Sequence, residues 1–111
     1  MRVIQVPSSA MHLIQILLPL YDKKQQPLNR SLHDEVKREL TKLFGGLAAY
    51  TRPPAEGRWS QGRSEVKDDI VVYEIMVETL DAAWWGDYRH KLEERFAQEQ
   101  IVIRAMAMSL L

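Results

Sequence analysis

Apolar and polar positions alternate along four stretches of this chain and recur at helical spacing along two others. Residues 12–21 come first. Ile14, Ile16, Leu18 and Leu20 share one side of an extended chain, and Leu13, Gln15, Leu17 and Pro19 share the other, because successive strand side chains point to opposite faces. The length suits a strand, and Pro19 argues against a helical interior. A polar loop over 22–30 leads into residues 31–44, where Leu32, Val36, Leu40, Leu43 and Phe44 recur as the apolar stripe of a helix. Asn29 or Ser31 can cap its start, and Asp34 and Glu35 suit the positive end of its dipole. Gly45-Gly46 ends it, since glycine accepts the left-handed conformation after a helix.

Residues 47–52 predict a second strand, which Pro53-Pro54 confines to a sheet edge or a bulge. Arg58-Trp59-Ser60 can resume it, and Gln61-Gly62-Arg63-Ser64 supplies a turn, so a long hairpin is expected before the next strand. That third strand, 70–78, is rich in β-branched and aromatic residues. Val71, Tyr73, Ile75 and Val77 fall on one face, and Ile70, Val72, Glu74, Met76 and Glu78 on the other. Asp81 caps a second helix running to about Gln98, with Trp85, Tyr88, Leu92 and Phe96 as its buried stripe. Residues 101–108 form the last strand.

This order is strand–helix–strand–strand–helix–strand. It predicts an α+β, ferredoxin-like βαββαβ sandwich: a four-stranded antiparallel sheet with both helices on one face. Residues 1–10 read as an N-terminal extension, because Pro7-Ser8-Ser9 breaks any strand begun by Val3, Ile4 and Val6. Residues 11–111 read as a single domain, the amount of chain that one core can organise.

Composition narrows the function classes. Fifteen basic and fifteen acidic residues cancel, so no global field draws the chain to nucleic acid or an anionic membrane. Cysteine is absent, which removes disulfides, thiol nucleophiles and thiolate metal sites. The apolar run 10–20 carries His12 and Gln15 and lacks a small-residue cleavage site, so it is not read as a signal peptide, and it is too short to span a membrane as a helix. A cytoplasmic location is expected.

In the ferredoxin-like order four, one, three, two, the face away from the helices carries Leu13, Gln15 and Leu17, then Val72, Glu74 and Met76, then Val102, Arg104 and Met106. Each of the three strands sets one polar residue between two apolar ones, and Gln15 falls between Glu74 and Arg104. The edge strand adds Tyr50 and Arg52, or their neighbours if its register slips by one. Read as a site, this is a polar cluster inside an apolar surface, with Glu74 as a base or ligand-orienting group and Arg104 as a holder of carboxylate or phosphate. Read as structure, it is an ion pair bridged by Gln15 inside a dimer interface, and cross-strand charge pairs are common. Leu17, Val72, Met76 and Met106, with Trp59 of the hairpin, are the expected interface. Trp59 serves equally well as cover for its own core. Trp84 is expected at the border of the helix stripe that Trp85 occupies. His12, His33 and His90 lack metal-ligand spacing, and His33 and His90 fall on helix faces that read as solvated. No metal or other cofactor is expected.

With the elements placed, Ile16 to Tyr21, Phe44-Gly45-Gly46, Ala55 to Trp59 and Val66 to Val72 resemble stretches of a group of short uncharacterised bacterial proteins. The resemblance covers nearly all of the chain from Met11 on. It implies a fold and a bacterial source and transfers no activity. The topology is also similar to that of the dimeric α/β-barrel proteins, a fold-level analogy. Together these features predict a homodimeric interaction or ligand-binding module. The alternative is a small cofactor-independent enzyme with its site on the helix-free face.

Overall fold

The computed structural model describes residues 10–52 and 69–111. The elements appear in the expected order: β1 (Ala10–Pro19), α1 (Arg30–Phe44), β2 (Ala48–Arg52), β3 (Ile70–Val77), α2 (Ala82–Arg95) and β4 (Val102–Ser109). The strands form one antiparallel sheet in the order β2-β3-β1-β4, the ferredoxin-like arrangement. The expected hairpin with Trp59, and the N-terminal extension except Ala10, lie outside the described residues. Ala10 itself belongs to β1, where it pairs with Ser109.

One face of the sheet is the core. Ile14, Ile16 and Leu18 of β1 are fully buried, and Val71, Tyr73, Ile75 and Val77 of β3 lie beside them. Val36 and Leu40 of α1, Trp85, Tyr88 and Leu92 of α2, and Phe96 just past its end close over them. Each large apolar side chain withdrawn this way from water contributes about 1.5–3 kcal/mol. Trp84 sits at the border as expected, partly buried, with its ring stacked on Tyr88 and edge-on to Phe44 and Trp85.

The helices carry expected caps, and two boundaries shift by one to three residues. Asn29 rather than Ser31 caps α1: its side-chain oxygen accepts from the Ser31 amide at 2.9 Å. Helix α1 therefore starts at Arg30, and Asp34 and Glu35 lie beyond its first turn. Gly45 ends it at φ 80, in the left-handed region, as its missing side chain allows. Asp81 caps α2 by accepting from the Trp84 amide at 3.0 Å. That helix stops at Arg95, short of Gln98, because Ala97 adopts φ 52 and turns the chain out.

The two helices are clamped on their outer side. The Glu39 carboxylate accepts two hydrogen bonds from Arg95, at 2.8 and 3.0 Å, and one from the Tyr88 hydroxyl at 2.7 Å. Hydrogen bonding from Arg95 holds the Glu39 carboxyl below its usual range. Burial, with Glu39 as acceptor, pushes the Tyr88 hydroxyl up.

Two corrections concern the α1 stripe. Leu43, expected inside it, is 56% exposed, and His33, expected in water, is only 8% exposed. The helix is rotated so that positions 33, 36 and 40 face the sheet.

Candidate functional site on the open sheet face

Pairing register decides what meets on the face without helices. Gln15 of β1 lies directly opposite Glu74 of β3 on one side and Arg104 of β4 on the other. Paired residues of an antiparallel sheet project to the same side, so the three side chains stand in a row across the strands. They are joined. Gln15 Nε2 donates to Glu74 Oε2 at 2.7 Å, and Arg104 Nε donates to Gln15 Oε1 at 2.7 Å. The amide thus bridges the carboxylate and the guanidinium, with each end of its dipole facing the opposite charge. Tyr50 of β2 extends the row, its hydroxyl donating to the same Glu74 Oε2 at 2.9 Å. That hydrogen bond, more than any other influence, raises the Tyr50 hydroxyl above its ordinary pKa.

Glu74 therefore spends one carboxylate oxygen on two neutral donors. Among the described residues its Oε1 has no hydrogen-bond partner, nor do the terminal nitrogens of Arg104. A free carboxylate oxygen and a free guanidinium end flank a buried amide. Such an arrangement can hold a cation and an anion at once, or a molecule that carries both.

The apolar frame is uneven. Met76, Val102 and Met106 are exposed, as is Tyr50, while Leu13 and Leu17 are half-buried. Val72 departs from the expected interface. It is 1% exposed within the single chain, flanked across the strands by Tyr50 and Leu17, so it has no area to offer a partner. Arg52 shares the face, opposite Ile70, but stays outside the hydrogen-bonded row. Its Nε is buried without a hydrogen-bond partner among the described residues. The structure thus brings Gln15, Tyr50, Glu74 and Arg104 together and leaves Arg52 apart. Trp59 lies outside the described residues.

The helix-covered face holds a polar contact that the strand-by-strand reading overlooked. His33 Nε2 lies 3.0 Å from the Pro19 carbonyl and Nδ1 lies 2.8 Å from the Tyr73 hydroxyl. One tautomer satisfies both: Nε2–H donates to the carbonyl and Nδ1 accepts from the hydroxyl. Burial holds His33 below its usual pKa and raises Tyr73 to about 12. The signal for His33 was its spacing, since 33, 36 and 40 are three and four residues apart. Among the described residues, no group of three or more His, Asp or Glu side chains is arranged to hold a metal ion, and no helix is long and apolar enough to cross a membrane.

No family model and no curated protein matches the sequence. Solved structures of a phage SAM lyase share the fold. The apo form aligns with a TM-score of 0.56 at 11% identity, covering 98% of this chain and 90% of that one. A complex with S-methyl-5'-thioadenosine aligns with a TM-score of 0.50 at 12% identity, covering 99% and 97%. At such identities the likeness is one of fold.

Proposed function

We propose that the open sheet face binds a small molecule bearing both a positive and a negative charge on an apolar body, and that a second copy of the chain closes the site. The observation that carries this reading is the hydrogen-bonded row Tyr50–Glu74–Gln15–Arg104, whose second carboxylate oxygen and guanidinium end have no partner among the described residues. Exposed Met76, Val102 and Met106 offer the apolar bed, and a second sheet lying over them would shield the row from water. A two-fold axis running along β1 would set Glu74 of one copy over Arg104 of the other, so the assembly is charge-complementary by construction.

S-adenosylmethionine has the required chemistry: a sulfonium and an ammonium for Glu74, a carboxylate for Arg104, and a nucleoside for the apolar bed. The phage SAM lyase and its S-methyl-5'-thioadenosine complex favour a second reading of the same site, as a small cofactor-independent enzyme. Cleaving a sulfonium C–S bond leaves the electron pair on sulfur and releases a neutral thioether, so the leaving group needs no proton, and the carbon it departs from would be taken by the substrate's own carboxylate oxygen, closing a five-membered lactone. Glu74 would face the cation, and Arg104 would fix the carboxylate.

Titration calorimetry with S-adenosylmethionine and with S-methyl-5'-thioadenosine, followed by mass analysis of the mixtures, tests both readings. Saturable binding that weakens at least about tenfold in Glu74→Gln, without turnover, supports the binding module. Release of S-methyl-5'-thioadenosine that is lost in the same variant supports the enzyme. A wild type that binds neither compound overturns both.

A further inference from the structure

Toward the helix side of the sheet, at its β2 edge, lies a cavity of about 450 Å³ between the loop after β1, the start of α1 and β2. That volume lies within the ~300–1,000 Å³ of small-molecule sites. Its walls are built locally. Asp22 Oδ1 accepts from the amides of Lys24 and Gln26 at 2.8 and 2.9 Å, and the Leu28 amide returns to the Leu20 carbonyl at 2.9 Å. The loop is thereby folded back on itself and presents Leu20, Pro27 and Leu28 as one apolar wall. Tyr73 and His33 contribute polar atoms already satisfied by each other and by Pro19, so this part of the lining is neutral and asks nothing of a ligand.

The charge comes from Arg30 and Lys37. They lie two helical turns apart on α1, both exposed, and both line the cavity. No ion pair engages either among the described residues. No Asp or Glu appears among the described lining residues, and Asp34, next in the helix to His33, acts on His33 and Tyr73 only through its charge. Two cations without an ion-pair partner among the described residues, beside an apolar cavity, suit an anion with an apolar body.

We infer that this cavity binds a small organic anion, a phosphate monoester or carboxylate on a compact apolar body, held by Arg30 and Lys37. This site and the open-face row meet at Tyr50, which borders both, but Arg30 and Lys37 take no part in the row and Glu74, Gln15 and Arg104 take no part in the cavity.

Phenyl phosphate is the probe, with inorganic phosphate and phenol as partial probes. Amide and His33 ring resonances of the isotope-labelled chain are followed by NMR. Saturable shifts at His33, Leu28 and Ala49 are expected at roughly millimolar phenyl phosphate, an affinity suited to two charges and one ring. Inorganic phosphate and phenol should each bind more weakly. Arg30→Ala and Lys37→Ala should each weaken binding about five- to tenfold while leaving the remaining spectrum unchanged. Arg38→Ala and Lys42→Ala, which remove the same charge from α1 outside the cavity, should not. Absence of shifts, or equal weakening by all four variants, would overturn the inference. S-methyl-5'-thioadenosine would instead shift Gln15, Glu74 and Met106, so failure at one face is distinguishable from failure at the other.

Discussion

At the scale of single residues, His33 carries the clearest physical signature. It sits on α1 next to Asp34, four residues before Lys37, and faces Tyr73 of β3, the Pro19 carbonyl of β1 and the edge of the Phe96 ring. Burial holds its pKa in the folded chain below the 6.5 of an ordinary histidine. The unfolded chain therefore binds more protons in that window, and stability rises with pH there. As pH falls from 6.5 toward the lowered folded value, the domain should lose stability. Glu39 and Glu93, whose carboxyls are depressed, begin to contribute only below their ordinary 4.5. Urea melts between about pH 5 and 7 should show this slope in the wild type. His33→Gln should flatten it. A slope unchanged in the variant would show that another group sets it.

At the scale of elements, helix phase decides which aromatic residues matter. Trp85 is 6% exposed and stacks on Phe44, whereas Trp84 lies at the edge of the core between Phe44 and Tyr88. Trp85→Ala should cost ~3–5 kcal/mol, the range for truncating a buried large aromatic, and Trp84→Ala distinctly less. Denaturant melts check the order, and equal losses would contradict the packing described. The phase of α2 was readable because Trp85, Tyr88, Leu92 and Phe96 follow helical spacing without competitors. That of α1 is less legible: Leu32 packs against the core as expected, but Leu43 competes with His33 for the stripe and loses. Hydrophobicity alone favours the leucine, and only the hydrogen bonds from Tyr73 and to Pro19 make the buried imidazole acceptable. Strand faces were legible almost throughout, since a period of two leaves only one alternative. The sequence alone therefore sets Gln15, Glu74 and Arg104 in a row. The burial of Val72 was not legible, because it depends on what lies beside a position rather than on the face it occupies.

At the scale of the whole molecule, two helices cover one face of a four-stranded sheet and leave exposed Met76, Val102 and Met106 on the other. Burying such area at ~25 cal/mol per Å² favours association, part of which is offset by the entropy of docking. Met76→Arg should therefore shift a dimer toward monomer in sedimentation at micromolar concentration without unfolding the chain, because Met76 is 51% exposed. Val72→Arg would unfold the domain instead, since that side chain is already inside. A wild type that sediments as a monomer, or a dimer indifferent to arginine at 76, would move the contact elsewhere.

The amide at the centre of the open face has a consequence for how this surface can change over generations. A glutamine side chain has two unlike ends that exchange places on a half-turn of its last torsion angle. Gln15 presents its NH₂ to a carboxylate and its oxygen to a guanidinium. If the acid and the base traded strands, the same residue could serve both by turning over, and the Tyr50 hydroxyl could accept where it now donates. Either reversal alone would set like charges on both sides of the amide. The row is thus neutral to inversion of its polarity but intolerant of each half-step, so residues 74 and 104 are tied to each other through a residue that need not change at all.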